Sequence, residues 1–211
     1  MGRAISNMAK HRPSIEGLGW FAIIRLGLVQ AALGAIVVLT TSTLNRVMIV
    51  ELGLAAVIPG RLVGLHYGIQ ISRPAWGFRS DTRGNRTRFI VGGMAVLALG
   101  GFLAAFAVTI MGAAFWAGLV LSIFAYALIG VGVGASGTSL LALVATATAP
   151  QRRAAAATIT WLMMIFGIAV TATVVGKALD PYSPQLLLEL VALVGMAAVV
   201  VTTLAVYGIE R

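Results

Sequence analysis

Cysteine is absent from the 211 residues, so disulfides, thiolate metal sites, iron–sulfur clusters and a cysteine nucleophile are all excluded. Charge is scarce too. Only 10% of the chain is Asp, Glu, Lys or Arg, against about 25% in soluble domains, and so few charges cannot cover a water-exposed surface. The acids number six and are scattered, and the two histidines, His11 and His66, stand far apart. Neither a carboxylate pair nor a serine–histidine pair recurs at a useful spacing, so no enzymatic activity and no protein-bound metal site is expected. What fills the chain is apolar: 60% hydrophobic residues and a mean hydropathy of +1.00. That composition reads as an all-α integral membrane protein. Glycine is abundant, at 25 residues, and beside Ala-rich apolar runs without a collagen-like period it reads as helix-packing material.

A hydrocarbon core of about 30 Å takes about 20 apolar residues of helix, and six such runs are predicted, at roughly 18–42, 53–73, 88–110, 115–140, 154–176 and 186–208. They make one bundle over 18–208, between an N-terminal segment 1–17 and a short end 209–211. The apolar stretch of the fourth run continues to residue 149, so its last turns are expected to project beyond the bilayer. Residues 1–17 are polar and the run after them is too long for a signal-peptide core, so no secretory signal is expected. Basic residues set the orientation, because Lys and Arg gather in cytoplasmic loops. Arg3, Lys10 and Arg12, then Arg73, Arg79, Arg83, Arg86 and Arg88, then Arg152 and Arg153, and last Arg211 fall on one side, eleven in all. Only Arg46 and Lys177 fall on the other. Both termini are therefore expected in the cytoplasm. The split also absorbs most of the net charge of +9 without nucleic acid, since no aromatics interleave with these charges in a stacking pattern.

The connection after the second run reads Gly77-Phe78-Arg79-Ser80-Asp81-Thr82-Arg83-Gly84-Asn85-Arg86. It resembles motif A of the major facilitator superfamily, with Gly77, Asp81, Gly84 and Arg86 in the motif's places. Glycines there are expected to permit a tight reversal with positive φ. Thr82 and Asn85 stand where that family has basic residues, and Arg79 where it has an apolar one, which puts the motif's ion-pair network in doubt here. Longer stretches carry a sharper likeness: Arg25-Leu26-Gly27-Leu28, the run Leu44-Asn45-Arg46-Val47-Met48-Ile49-Val50-Glu51-Leu52-Gly53, and Pro150-Gln151-Arg152-Arg153 leading into Trp161. With Gly77–Asp81 these resemble the bacteriochlorophyll delivery branch of that superfamily, the PucC/LhaA type. The run holding Asn45, Arg46 and Glu51, taken as a loop after the first span, is its most specific element.

That resemblance implies six helices forming half of a major-facilitator-type bundle, in the cytoplasmic or intracytoplasmic photosynthetic membrane of a bacterium. It implies a role in assembling light-harvesting complexes, with bacteriochlorophyll as the pigment handled and light-harvesting or reaction-centre polypeptides as partners. Family members carry twelve spans, and one half alone cannot rock against another. A second six-helix half, from another copy or another protein, is thus an expected partner, unless the sequence is a piece of a longer chain.

Ionisable residues inside spans cost a few kcal/mol and need reasons. Arg25 and Glu189 lie near span ends, where snorkelling accounts for them. Gly60, Gly64 and Gly68 form a seam for close helix approach. Arg61 flanks that seam and is expected to meet a carboxylate or a free carbonyl of a neighbouring helix. At about 100° per residue His66 falls on the far side from the seam. If the seam packs within the bundle, His66 faces a cavity, a partner or lipid, as a candidate axial ligand for bacteriochlorophyll magnesium. The run Gly132-Val133-Gly134-Ala135-Ser136-Gly137 fits a dinucleotide fingerprint in letters only, since no strand precedes it and no acid follows at the required distance. Gly130 and Gly134 are read as helix-packing glycines, and no nucleotide is expected. Two other readings stay open: half of a secondary transporter for a small amphipathic solute, and a structural subunit of a photosynthetic complex.

Overall fold

A backbone in hydrocarbon has no water to bond, so its amides must be satisfied within the segment, and long apolar runs become helices. The structure, a computed structural model, describes residues 17–83 and 85–209, and within them all side chains except those of Ser80, Asp81 and Arg83. Every regular element among these residues is helical. Helix α1 spans Trp20–Glu51, α2 Val57–Ile69, α3 Arg73–Arg83, α4 Arg86–Met111, α5 Phe115–Ala147, α6 Arg153–Ala178 and α7 Pro184–Val206. Five of them, α1, α4, α5, α6 and α7, are long and apolar enough to cross a membrane. This is a multi-pass, all-α membrane protein.

The second predicted run departs from expectation. Residues 53–56 are not helical, and α2 holds 13 residues, about 20 Å of rise, less than a bilayer core. A 3₁₀ turn at Gln70–Ser72 joins it to α3. Pro74 explains the turn: it has no N–H to offer the Gln70 carbonyl, so Arg73 N–H, one residue earlier, donates to that oxygen instead. The predicted loop after α1 is also absent. Residues 44–51, with Asn45, Arg46 and Glu51, continue α1 through two π-helical segments, Leu39–Thr43 and Val47–Glu51, and the chain turns only at Gly53, whose φ is +64°. Gly77 is no turn glycine either. It lies within α3, where a β-carbon would sit 3.5 Å from the Thr138 methyl. Asp81's side chain and Gly84 lie outside the described residues, as do residues 1–16 with Arg3, Lys10 and Arg12, and Glu210 with Arg211.

α4 and α5 form the most intimate pair; α1 lies between α6 and α7, α7 also touches α4, and α2 and α3 lean on α5. Lipid tails are as apolar as leucine, so helices associate through close packing, and glycine sets how close. A β-carbon at Gly132 would stand 2.6 Å from the Leu97 backbone nitrogen, and one at Gly100 2.9 Å from that of Ile129. Four of the α5 glycines meet four different neighbours: Gly132 α4, Gly130 the His66 carbonyl and Ile69 of α2, Gly134 the Trp76 ring of α3, Gly137 Leu33 of α1. The letters that imitate a nucleotide loop are the hub of the bundle.

Candidate functional site

Most charged side chains collect at the two ends. At one end, hereafter the basic end, Leu18 N–H donates to the Ala147 carbonyl at 2.9 Å, and the Arg152 guanidinium lies 5.5 Å from the Trp20 ring. Arg86 donates to the Ala142 carbonyl at 3.4 Å and to the Thr146 hydroxyl, and Asn85 caps α4 by accepting from Arg88 N–H at 3.2 Å. Arg25 does more than snorkel. Its guanidinium donates to the Leu204 carbonyl at 2.9 Å and the Tyr207 carbonyl at 2.6 Å, the end of α7 where unpaired carbonyls concentrate negative potential.

On α2, His66 and the glycine seam take opposite places from the packed-seam premise. Gly60, Gly64 and Gly68 are exposed, and a β-carbon on any of them would find nothing within 4 Å. Arg61 is exposed beside them and, among the described residues, meets no carboxylate and no carbonyl. His66 is instead the inward residue, 1% exposed. Arg73 donates to Gln70 Oε1, which leaves the Gln70 amide nitrogen to donate to His66 Nε2 at 2.8 Å. That bond uses the Nε2 lone pair and puts the ring proton on Nδ1, which is enclosed without a partner. A magnesium tetrapyrrole needs a free imidazole lone pair and open space beside it. In this arrangement the Nε2 lone pair is taken by Gln70 and the ring is buried.

Two features had no counterpart in the expectations. Tyr126, 0% exposed, donates its hydroxyl to the Thr40 carbonyl at 2.7 Å, at the first π-helical segment of α1. Trp76 donates to the Ser72 hydroxyl at 3.1 Å, with Arg79 over its ring. A lone tyrosine inside an apolar run was the available signal for the first, because a buried phenol needs an acceptor.

The outward faces are apolar. α5 exposes Trp116, Val120 and Phe124 along one stripe, and α6 exposes Trp161, Leu162, Ile165 and Phe166. Between α4 and α7 lies an apolar groove of about 430 Å³, floored by Ala98, Ala192 and Gly195 and walled by Phe102 and Met196. Among the described residues no group of three His, Asp or Glu side chains could hold a metal ion.

Fold and surface thus define a class: a multi-pass helical membrane protein with apolar outward faces and charges gathered at its ends. The sequence narrows that class, because residues 43–211 match the family described as PUCC protein, and the chain belongs to that family. It is 71% identical over 194 residues to a protein of Rhodobacter capsulatus named bacteriochlorophyll synthase 44.5 kDa chain, covering 92% of this chain and 45% of that one. Proteins named PucC from Rhodobacter capsulatus and Cereibacter sphaeroides are each 28% identical to it, over 98% and 89% of this chain and 49% and 44% of theirs. The chain therefore spans slightly less than half the length of these relatives. No solved structure matches it.

Proposed function

We propose that the protein is a membrane assembly factor for photosynthetic light-harvesting complexes, one that handles bacteriochlorophyll or steadies antenna polypeptides and performs no catalysis of its own. Membership of the PUCC protein family carries this reading, and the relative named for bacteriochlorophyll synthase supports the link to pigment. With His66 closed off, a pigment would be held by its apolar body against an outward face such as the α4/α7 groove, whose size suits a small-molecule cleft. The aromatic stripes of α5 and α6 offer rigid apolar contact area to antenna helices. A transporter would place polar groups at the midplane; the ionisable side chains of α2 supply only Arg61, near one end, and the closed His66. In this reading the chain sits in the bacterial photosynthetic membrane with both termini cytoplasmic, and it works beside a second six-helix half.

Purification from native membranes in mild detergent, with absorption spectrum and partner identification, tests the proposal. Bacteriochlorophyll bands with light-harvesting polypeptides are expected, together with loss of antenna absorption when the gene is deleted. A colourless, partnerless protein whose deletion leaves the antenna unchanged would sink it.

A further inference from the structure

The groove between α4 and α7 has mouths of opposite charge. On α4, Arg88, Gly92, Ala95, Leu99 and Phe102 form one exposed stripe at heptad spacing, and Leu99 and Phe102 are the part of it that lines the groove. Toward the basic end the stripe is bare: Gly92 has nothing within 4 Å of where a β-carbon would stand, and Ala95 adds one methyl. It finishes at Arg88, whose backbone N–H serves the Asn85 cap and whose exposed guanidinium has no partner among the described residues. On α7, exposed Glu189 lies seven residues before the Met196 wall, on the same side of the helix. α7 ends at the basic end, where α4 begins, and Ala98 packs on Gly195. The pair is antiparallel, so Glu189 stands at the opposite mouth from Arg88.

Depth fixes what the groove can hold. α4 rises about 16 Å from Arg88 to Leu99, close to one leaflet's share of a hydrocarbon core of about 30 Å. The lining at that depth carries no polar side chain. An occupant is therefore hydrocarbon in the groove and negative at Arg88, since a free guanidinium at the membrane edge attracts an anionic headgroup and Glu189 repels one at the other mouth. A helix fits less well. α4 and α7 touch at the groove floor, so a body about 10 Å across rides on the Phe102 and Met196 walls instead of entering between them.

The groove is also remote from the side where further helices would join. α2, α5, α4, α7, α1 and α6 pack in that order round the bundle, and α2 and α6 are not packed on each other. The relatives' added length has that gap to close, and α4 and α7 lie across the bundle from it.

We propose that the α4/α7 groove is a lipid site. Its occupant is an anionic phospholipid of the leaflet at the basic end, with the phosphate at Arg88 and one acyl chain running past Gly92 and Ala95 into the groove. A pigment tail held on this face has to displace that chain.

The test uses the purified chain in phosphatidylcholine vesicles holding a minor share of photoactivatable phosphatidylglycerol, the reactive carbon placed midway along the acyl chain or at its tip, with adducts mapped by peptide mass spectrometry. The midway probe is expected to mark the stretch from Gly92 to Ala95, and the tip probe Leu99, Phe102 and Met196. Phosphatidylcholine carrying the same reactive chain should label these peptides about fivefold less, the weight of one arginine beside an anionic headgroup. Arg88→Gln should erase that headgroup preference, and Ala95→Phe should block the tip adducts. Both side chains face outward, so neither change touches the packed core. Equal labelling by the two lipids, adducts spread evenly over the outward faces of α5 and α6, or indifference to Arg88→Gln and Ala95→Phe would each overturn the site. Groove peptides that stay unlabelled in vesicles but cross-link to an antenna polypeptide in native membranes would overturn it in favour of a protein partner. The vesicles contain no pigment and no antenna, so the lipid result is separable from the assembly role.

Discussion

Tyr126 shows how a single polar group is placed in an apolar bundle. Its ring fills the core while its hydroxyl reaches the Thr40 carbonyl, an oxygen in a π-helical turn. Removing the hydroxyl leaves that carbonyl without the donor in a medium with no water. Tyr126→Phe is expected to cost about 1 kcal/mol, the scale of hydrogen bonds measured inside membrane proteins, read by reversible unfolding in mixed detergent micelles. A difference below about 0.3 kcal/mol would mean that Thr40 finds another donor. His66 makes a second case. Its Nε2 is held by Gln70, its side chain is buried, and its backbone carbonyl abuts Gly130 of α5. His66→Ala should therefore leave the absorption of any co-purified pigment unmoved while loosening α2 by about 1–3 kcal/mol, as expected for losing a buried group. A shifted pigment band would restore the ligand role.

At the scale of elements, glycine has two opposite uses here, and letters alone do not separate them. Gly132 lies in the α4/α5 contact with Leu97 backbone at van der Waals limits, whereas Gly64 looks out from α2 onto nothing within 4 Å. Both belong to runs that satisfy the same small-residue spacing. Adding one methyl distinguishes them. Gly132→Ala must push two helices apart and is expected to destabilise by about 1–3 kcal/mol. Gly64→Ala removes backbone freedom from the unfolded chain and should be neutral or stabilising by up to about 1 kcal/mol. Thermal unfolding of the two variants at equal protein concentration checks the contrast. Equal losses would mean that α2 is packed on its glycine side.

For the whole molecule, composition and run length made the helical membrane class legible, and five of the six runs emerge as long apolar helices. Their ends were less legible. α1 runs through Asn45 to Glu51 because its polar residues tolerate helix geometry, and nothing stops it before Gly53. The break in the second run depends on one absent N–H at Pro74, a local backbone fact that hydropathy averages away. Which side of α2 faces the bundle was not readable either, since His66 and the seam are equally suited to burial until α5 supplies Gly130. Orientation rests on charge alone. Described basic side chains gather at the end formed by Trp20, Arg86 and Arg152, while Arg46 and Lys177 sit at the other. We propose that the first set stays with the cytoplasm, because basic loops resist translocation. A reporter active only outside the cytoplasm should therefore work when fused after Lys177 and stay silent when fused after Arg153. Replacing Arg152 and Arg153 by glutamine should weaken that preference without reversing it, because Arg73, Arg79, Arg86 and Arg88 remain on the same side. An active fusion after Arg153 in the unaltered chain would invert the molecule.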